Sequence, residues 1–387
     1  MSLISRNDRG LMADWWWTID RWLLAGVLLL MAYGVLLCLA ASPAVAQRLG
    51  YSEFHFVKRQ LFFIVPALGV LVASSFLAPH QVRRLGLGVV AVGFVLLIVT
   101  LGFGAEVKGA KRWLDLGAVS IQPSEFVKPA FVVVAAWLFS EGMKRPDMPG
   151  RVLSTLLLAV FGGLLVLQPD YGQTILVTAV WGLMLFLTGI SWRWMGGLML
   201  CATGAMVTAY LTVSHVADRI NSFIDRESGD TYQVDAALQS FATGGVLGAG
   251  PGEGTIKRIL PDAHSDFIFA VAGEEFGMLA CLVLLGLFTF CVIRAMHHSL
   301  AETDPFLKLA TIGLAAMVGL QAMINMAVNV ALLPAKGMTL PFISYGGSSL
   351  ISVAFAMGLV LALTRRRPAV RSVRPQWDGR IAASARA

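Results

Sequence analysis

Leu260-Pro261-Asp262-Ala263-His264-Ser265-Asp266-Phe267-Ile268-Phe269-Ala270 ends the one long polar segment between two blocks of apolar sequence. Its turn-forming and titratable residues stand at a rim, and Asp266 is the last polar group before the chain turns apolar. The blocks on either side decide the fold. Of 387 residues, 57% are hydrophobic and 14% charged, and the mean hydropathy is +0.73. A water-soluble domain is nearer a quarter charged, so lipid must be part of the solvent. The apolar runs then count as membrane spans of roughly 20 residues each. Backbone groups in lipid need internal partners, and no alternating barrel pattern is present, so the spans are helices.

Ten spans are predicted: Trp22–Ala41, Gln60–Ala78, Leu85–Phe103, Glu125–Phe139, Val152–Leu167, Gln173–Ile190, Met195–Val213, Phe276–Ile293, Phe306–Leu333 and Ile343–Leu363. The expected fold is an all-α polytopic membrane protein with one large extracytoplasmic loop between spans seven and eight. Residues 1–21 form an N-terminal cytoplasmic segment, 22–363 the transmembrane domain with its loop at about 214–266, and 364–387 a basic cytoplasmic tail. Trp15-Trp16-Trp17 and Asp20-Arg21 precede a full-length apolar run, so the first span is expected to stay as an anchor.

Lys and Arg are in excess in the N-terminus, at Arg83-Arg84, Lys144-Arg145 with Arg151, Arg193, Arg294, Lys308 and Arg365-Arg366-Arg367. The positive-inside rule assigns these segments to the cytoplasm. Both termini are then inside, and the two largest polar segments, 104–123 and about 214–265, are outside. The net charge of +7 is distributed as orientation signals, which argues against nucleic acid as a partner. Cys38, Cys201, Cys281 and Cys291 all lie in apolar runs with no CxxC pair, and read as buried apolar residues.

Several outer segments can carry chemistry. Lys111-Arg112-Trp113 places two cations beside an aromatic, a combination suited to phosphate oxygens and a sugar face. An ordinary interfacial loop fits the spacing equally well. In Gln122-Pro123-Ser124-Glu125-Phe126-Val127-Lys128-Pro129, Glu125 and Lys128 share a helix face at i, i+3. An ionisable pair at the membrane margin is either functional or a neutralised packing pair. Asp170, in Gln168-Pro169-Asp170-Tyr171-Gly172-Gln173, reads as a cap of span six or as a ligand for a cation or sugar hydroxyl.

Arg219 lies early in the long outer segment. The Gly run Gly248-Ala249-Gly250-Pro251-Gly252-Glu253-Gly254 invites a phosphate-loop reading but lacks GK[ST], GxGxxG and a preceding strand. It reads as a mobile loop, with Lys257-Arg258 beyond it as phosphate contacts. Ser344-Tyr345-Gly346, ahead of Gly347-Ser348-Ser349, can present helix-start N–H groups to a phosphate or simply let helices approach closely. Asn325 and Asn329 are spaced to bond across helices. Asp266 is either a helix cap or a general base at a dry rim, and His264 either its partner or a loop histidine. With no HExxH, GxSxG or metal-ligand spacing, metalloprotease and serine-hydrolase readings have no support.

Lys111-Arg112-Trp113, Gln122-Pro123-Ser124-Glu125, Gln168-Pro169-Asp170-Tyr171-Gly172, Gly250-Pro251-Gly252-Glu253-Gly254, His264 to Glu275 and Ile343 to Ser349 together, in order, resemble the SEDS family (shape, elongation, division and sporulation). The resemblance runs from about Gln60 to Leu363. Asn325 to Asn329 and Lys336 to Phe342 are more similar to its cell-division branch than to its elongation branch. It implies a bacterial inner-membrane peptidoglycan glycosyltransferase at the division septum, polymerising lipid II on the outer face of the membrane. It also implies Asp266 as the catalytic carboxylate and Glu125 with Lys128 as the family's membrane pair. The implied partners are lipid II, membrane lipid, a class B penicillin-binding transpeptidase and other divisome proteins.

The chemistry fits. The acceptor hydroxyl needs a base, and the lipid diphosphate leaving group needs positive charge from Lys111, Arg112, Lys128 or Arg219. A divalent cation, Mg or Mn, is compatible with the diphosphate, and no other cofactor is indicated. The substrate-binding set is completed by Trp113, Glu125, Asp170, His264, Ser344, Tyr345 and Gly346. Rival readings are a lipid II flippase, an elongation-type polymerase, and a divisome scaffold without catalysis.

Overall fold

The structure, a computed structural model, describes residues 10–107, 110–117, 119–225, 232–334 and 337–366; the side chains of 214, 215 and 219 lie outside that description. The 1–9 and 367–387 portions of the two expected cytoplasmic ends therefore lie outside it, as does Lys336.

Among the described residues there are thirteen α-helices and three short strands: α1 (Leu11–Thr18), α2 (Arg21–Arg48), α3 (His55–Ser75), α4 (Pro79–Phe103), β1 (Ala105–Val107), β2 (Ala110–Asp115), β3 (Ser120–Ile121), α5 (Pro123–Lys144), α6 (Gly150–Leu167), α7 (Tyr171–Leu187), α8 (Trp192–Thr212), α9 (Ser214–Ile224), α10 (Tyr232–Gly244), α11 (Ile268–Leu300), α12 (Pro305–Asn329) and α13 (Gly347–Leu363). Each predicted span falls on one of the ten helices α2 to α8 and α11 to α13. Eight of these are long and apolar enough to cross a bilayer, and α7 and α13 are shorter apolar helices. The protein is a multi-pass membrane protein of all-α architecture.

Local chemistry fixes the starts. Asp20 caps α2 by accepting from Trp22 N at 3.0 Å and Leu23 N at 3.2 Å. Proline stands in the first turn of α4, α5 and α12, where its missing N–H costs nothing. At the two ends of the described chain, Arg365 Nε donates to Thr18 Oγ1 at 3.0 Å, so these ends lie together at one end of the bundle. The indole N–H of Trp15 in α1 donates to Ser75 Oγ at 2.8 Å. Helices α5, α12 and α13 are the most enclosed, with α3 against α13, α4 against α5, and α2 against α11. Helix α8 buries none of its residues. The expectation of four buried cysteines fails there, because Cys201 on α8 is exposed.

The end of the bundle that carries Asp266 differs from the sequence reading in four ways. Residues 105–107, 110–115 and 120–121 form a three-stranded antiparallel sheet in the order β1-β2-β3, rather than a plain loop. Span eight begins at Ile268, not Phe276, because α11 runs on through a break at Gly277 (φ 77°). The Gly-rich segment is not a loose loop: it supplies the hydrogen bonds that the break removes. Met278 N donates to Gly245 O and Leu279 N to Val246 O, at 3.0 and 3.3 Å. Ala249 N and Gly250 N donate to the carbonyls of Glu274 and Glu275, at 2.9 and 3.1 Å. Irregular backbone at membrane depth is stable only when its polar groups are satisfied in this way. Finally, span ten is helical from Gly347, so 343–346 form a turn above it.

Candidate active site

Three helices near the polar groups are short or broken. Helices α7 and α13 have 17 residues each, roughly 26 Å against a hydrocarbon core of roughly 30 Å. Helix α11 breaks at Gly277. Discontinuous helices are where membrane proteins build polar sites.

Asp266 ends the turn before α11 and is half-buried. It does not cap the helix: Phe267 is the N-cap, and no side chain caps α11. The peptide of Asp266 is held by α12. Asn325 Nδ2 and Asn329 Nδ2 both donate to Asp266 O, at 2.9 and 3.0 Å. Asn329 Oδ1 accepts from Ala270 N at 3.1 Å, and Asn325 Nδ2 also reaches Met338 O at 2.6 Å. Two amides one helical turn apart thus fix the carboxylate's backbone between α12 and the 337–345 segment. The carboxylate lies against Gly337, where a Cβ would come within 3.1 Å of Asp266 Oδ2.

The 342–346 turn is stitched to the same place. Ser344 Oγ donates to Ser265 O at 2.5 Å and accepts from Leu340 N at 2.7 Å. Tyr345 N donates to His264 O at 2.9 Å. The His264 ring lies 4.3 Å from Phe56 and 5.5 Å from Tyr345, centroid to centroid. Burial raises the Tyr345 phenol above its usual range, and Arg59, hydrogen-bonded to it, opposes that shift. Gly346 precedes α13 as an N-cap without a side chain to cap it. His264, Asp266, Ser344, Tyr345 and Gly346 are therefore brought together.

Glu125 and Lys128 lie deeper, 2% and 1% exposed. Lys128 Nζ donates to Glu125 Oε1 at 2.9 Å, Gln173 Oε1 at 2.8 Å and Gln321 Oε1 at 3.1 Å. Gln173 Nε2 also donates to Glu125 Oε1 at 3.0 Å. Gln321 Nε2 donates to Thr339 O at 3.1 Å, and Thr339 Oγ1 and Ser349 Oγ are 2.7 Å apart. The pair is thus joined to Asp266 through neighbouring turns of α12: Gln321 holds Thr339, and Asn325 holds Met338 and Asp266.

Arg112 on β2 turns inward. Its Nε donates to Gln168 O at 3.1 Å, its Nη2 donates to Pro169 O, and it lies 3.9 Å from Asp170. Asp170 caps α7 through Gln173 N at 3.4 Å. Burial pushes the Asp170 carboxyl up, against the pull of Arg112. Lys111 and Trp113 flank Arg112 on the same half-buried strand. The Arg219 side chain lies outside the described residues. Lys257 is no phosphate contact: its ammonium is buried against the Glu275 carboxylate and donates to Ala40 O at 3.2 Å. Glu274 is also structural, accepting from Ile256 N at 2.6 Å and Lys257 N at 2.9 Å.

The sequence reading missed Phe56, Arg59, Gln173, Gln321 and Thr339. Gln173 and Gln321 did leave a signal, as amides isolated in apolar helices, where a polar group demands a partner. Among the described residues no three His, Cys, Asp or Glu side chains gather as a metal's ligand set.

The family described as "Cell cycle protein" (FtsW, RodA, SpoVE) matches residues 20–368. A "Probable peptidoglycan glycosyltransferase FtsW" of Caulobacter vibrioides is 42% identical over 366 residues, 94% of either chain. One of Coxiella burnetii is 34% identical over 360 residues, 90% of this chain and 96% of the relative. Among solved structures, a chain from work on "structural coordination of polymerization and crosslinking by a peptidoglycan synthase complex" superposes with a TM-score of 0.74 at 26% identity, covering 89% of this chain and 97% of that one. The rod shape determining protein RodA of Thermus thermophilus superposes with a TM-score of 0.68 at 27% identity, covering 91% and 99%.

Proposed function

Since this chain belongs to the FtsW/RodA/SpoVE family of cell cycle proteins, we propose that it is a peptidoglycan glycosyltransferase polymerising lipid II for the septal wall, with Asp266 as general base. The observation that carries the assignment of Asp266 is its setting. A half-buried carboxylate sits at the mouth of the bundle, its peptide fixed by Asn325 and Asn329 and its own helix left uncapped. A group held this firmly without a capping duty is suited to meet a substrate.

The step is a substitution at an anomeric carbon. Asp266 takes the proton of the acceptor GlcNAc 4-hydroxyl as that oxygen bonds to the donor's anomeric carbon. The bond to the lipid diphosphate breaks and the configuration inverts. Lys111 and Arg112 offer positive charge to the leaving diphosphate, and Trp113 a face for a sugar. His264, Ser344, Tyr345 and Gly346 shape the acceptor side. Glu125 and Lys128 serve as scaffold, because both are sealed from the surface. A divalent ion would arrive with the diphosphate, since the described side chains do not form a ligand set for one.

The cytoplasmic ends, the septal location and a class B penicillin-binding transpeptidase partner belong to the same proposal. The partner is supported by the solved complex that joins polymerisation to crosslinking. A flippase would need a polar route to the inner face. Inward of Lys128 the core is instead largely apolar, built from side chains such as Phe131, Phe139, Val180 and Met184, which favours the polymerase.

The test is lipid II polymerisation by purified protein with and without Asp266→Asn. A positioned base contributes about 10²–10⁴ in rate, so polymer should fall by at least about a hundredfold. Wild-type rates from the variant would overturn the assignment.

A further inference from the structure

A groove of about 500 Å³ runs along the outer half of α2, away from Asp266. One wall is apolar, formed by Leu36, Leu39, Ala40, Pro43 and Ala44; the other is the 251–258 segment with Phe276. From Leu36 to its polar end at Gln47 it is roughly 16 Å long. Depth follows from α2 itself. Its 28 residues span roughly 42 Å against a hydrocarbon core of roughly 30 Å. With Trp22 at the inner boundary, Leu36 to Ala40 lie in the outer leaflet's hydrocarbon and Pro43 to Gln47 among the headgroups.

Charge follows the same axis. Lys257 is neutralised by Glu275. Arg258, exposed and lining the polar end, makes no ion pair among the described residues. The groove therefore carries one uncompensated positive charge at headgroup depth and apolar side chains below it.

We propose that this groove binds one anionic phospholipid of the outer leaflet, its phosphate on Arg258 and an acyl chain along Leu36 and Leu39. The lipid joins α2 to the loop whose far end carries Asp266, and the site stands whether or not Asp266 is the base.

The test is native mass spectrometry of the full chain in detergent, titrated with phosphatidylglycerol or phosphatidylcholine, with Arg258→Gln and Leu39→Trp beside wild type. One phosphatidylglycerol should be retained by wild type, about tenfold more tightly than phosphatidylcholine. Arg258→Gln should lose that preference, the worth of about one charge-assisted hydrogen bond. Leu39→Trp, at a position 45% exposed to lipid, should fill the groove and release both lipids; unfolding curves without lipid check that each variant is folded. Should Arg258→Gln fail to fold, Leu39→Trp decides alone. Equal retention by folded variants and wild type overturns the proposal, and so does equal affinity for the two lipids. So does absence of lipid from wild type, which would leave the groove to a protein partner. Stabilisation by glycerol 3-phosphate as strong as by phosphatidylglycerol would make it a phosphate site and overturn the lipid.

Discussion

Glu125→Gln removes one charge and keeps the shape. In the native bundle Lys128 Nζ is surrounded by Glu125 Oε1, Gln173 Oε1 and Gln321 Oε1, at 2.9, 2.8 and 3.1 Å, with the side chain 1% exposed. After the change all three hydrogen-bond partners of the ammonium are amides. Leaving one partner of a buried pair uncompensated costs about 3–5 kcal/mol, on the order of 4–6 °C in unfolding temperature for a chain of this size. Lys128→Met should cost a similar amount by stranding the carboxylate. The double variant Glu125→Gln, Lys128→Met removes both charges of the pair, so it should regain more than half of the summed loss, a coupling of about 3 kcal/mol or more. The assay is thermal unfolding of purified protein in one detergent, with lipid II polymerisation on the same samples. If the pair is scaffold, polymer yield tracks stability and returns in the double variant. Additive losses, or a stable double variant that makes no polymer, would refute this reasoning.

Asn329→Leu, which unclamps the Asp266 peptide, should lower kcat for polymerisation by about tenfold to a hundredfold with little change in KM; an unchanged kcat counts against the clamp. Gly277→Ala puts a Cβ 2.4 Å from Gly248 N and Val246 O at a φ of 77°, so it should destabilise by about 2–4 kcal/mol, read as a lower unfolding temperature and weaker amide-exchange protection at 274–279. Burial alone would raise the Asp20 carboxyl, but hydrogen bonds from Arg294, Leu23 N and His298 outweigh it and hold the group below its ordinary 3.8. A lowered acid stabilises the fold above its unfolded pKa and loses that contribution as pH falls through the folded value. The unfolding-temperature gap between wild type and Asp20→Asn should therefore be widest above about pH 4 and close below it; a gap that does not change with pH would contradict the linkage.

The ten spans were legible because a helix in lipid must be long and apolar, a property of each segment alone. The polar rim around Asp266 was legible for the same reason, as an interruption. The start of α11 was not. Glu274 and Glu275 look like loop residues until Lys257, eighteen positions back, is seen to neutralise one and two backbone N–H groups the other. Those contacts are long-range and leave no periodic trace. The same holds for the Gly run, whose purpose depends on a break some thirty residues later. Strands of two or three residues fall below any pattern. Arg112 stood out in the sequence as a cation beside an aromatic, but its turn toward the Gln168 and Pro169 carbonyls depends on how β2 lies over α4 and α5.

The clamp on Asp266 also has a consequence in time. Asn325 is 59 residues beyond Asp266, so at 5–20 residues per second the ribosome delivers it roughly 3–12 s later. The partners that close the break at Gly277, by contrast, are synthesised before it. A nascent chain can therefore complete the bent helix early while its carboxylate still has no fixed seat. If Asp266 is the base proposed above, competence arrives only with the last two helices, and a chain interrupted before them would insert into the membrane without a seated carboxylate.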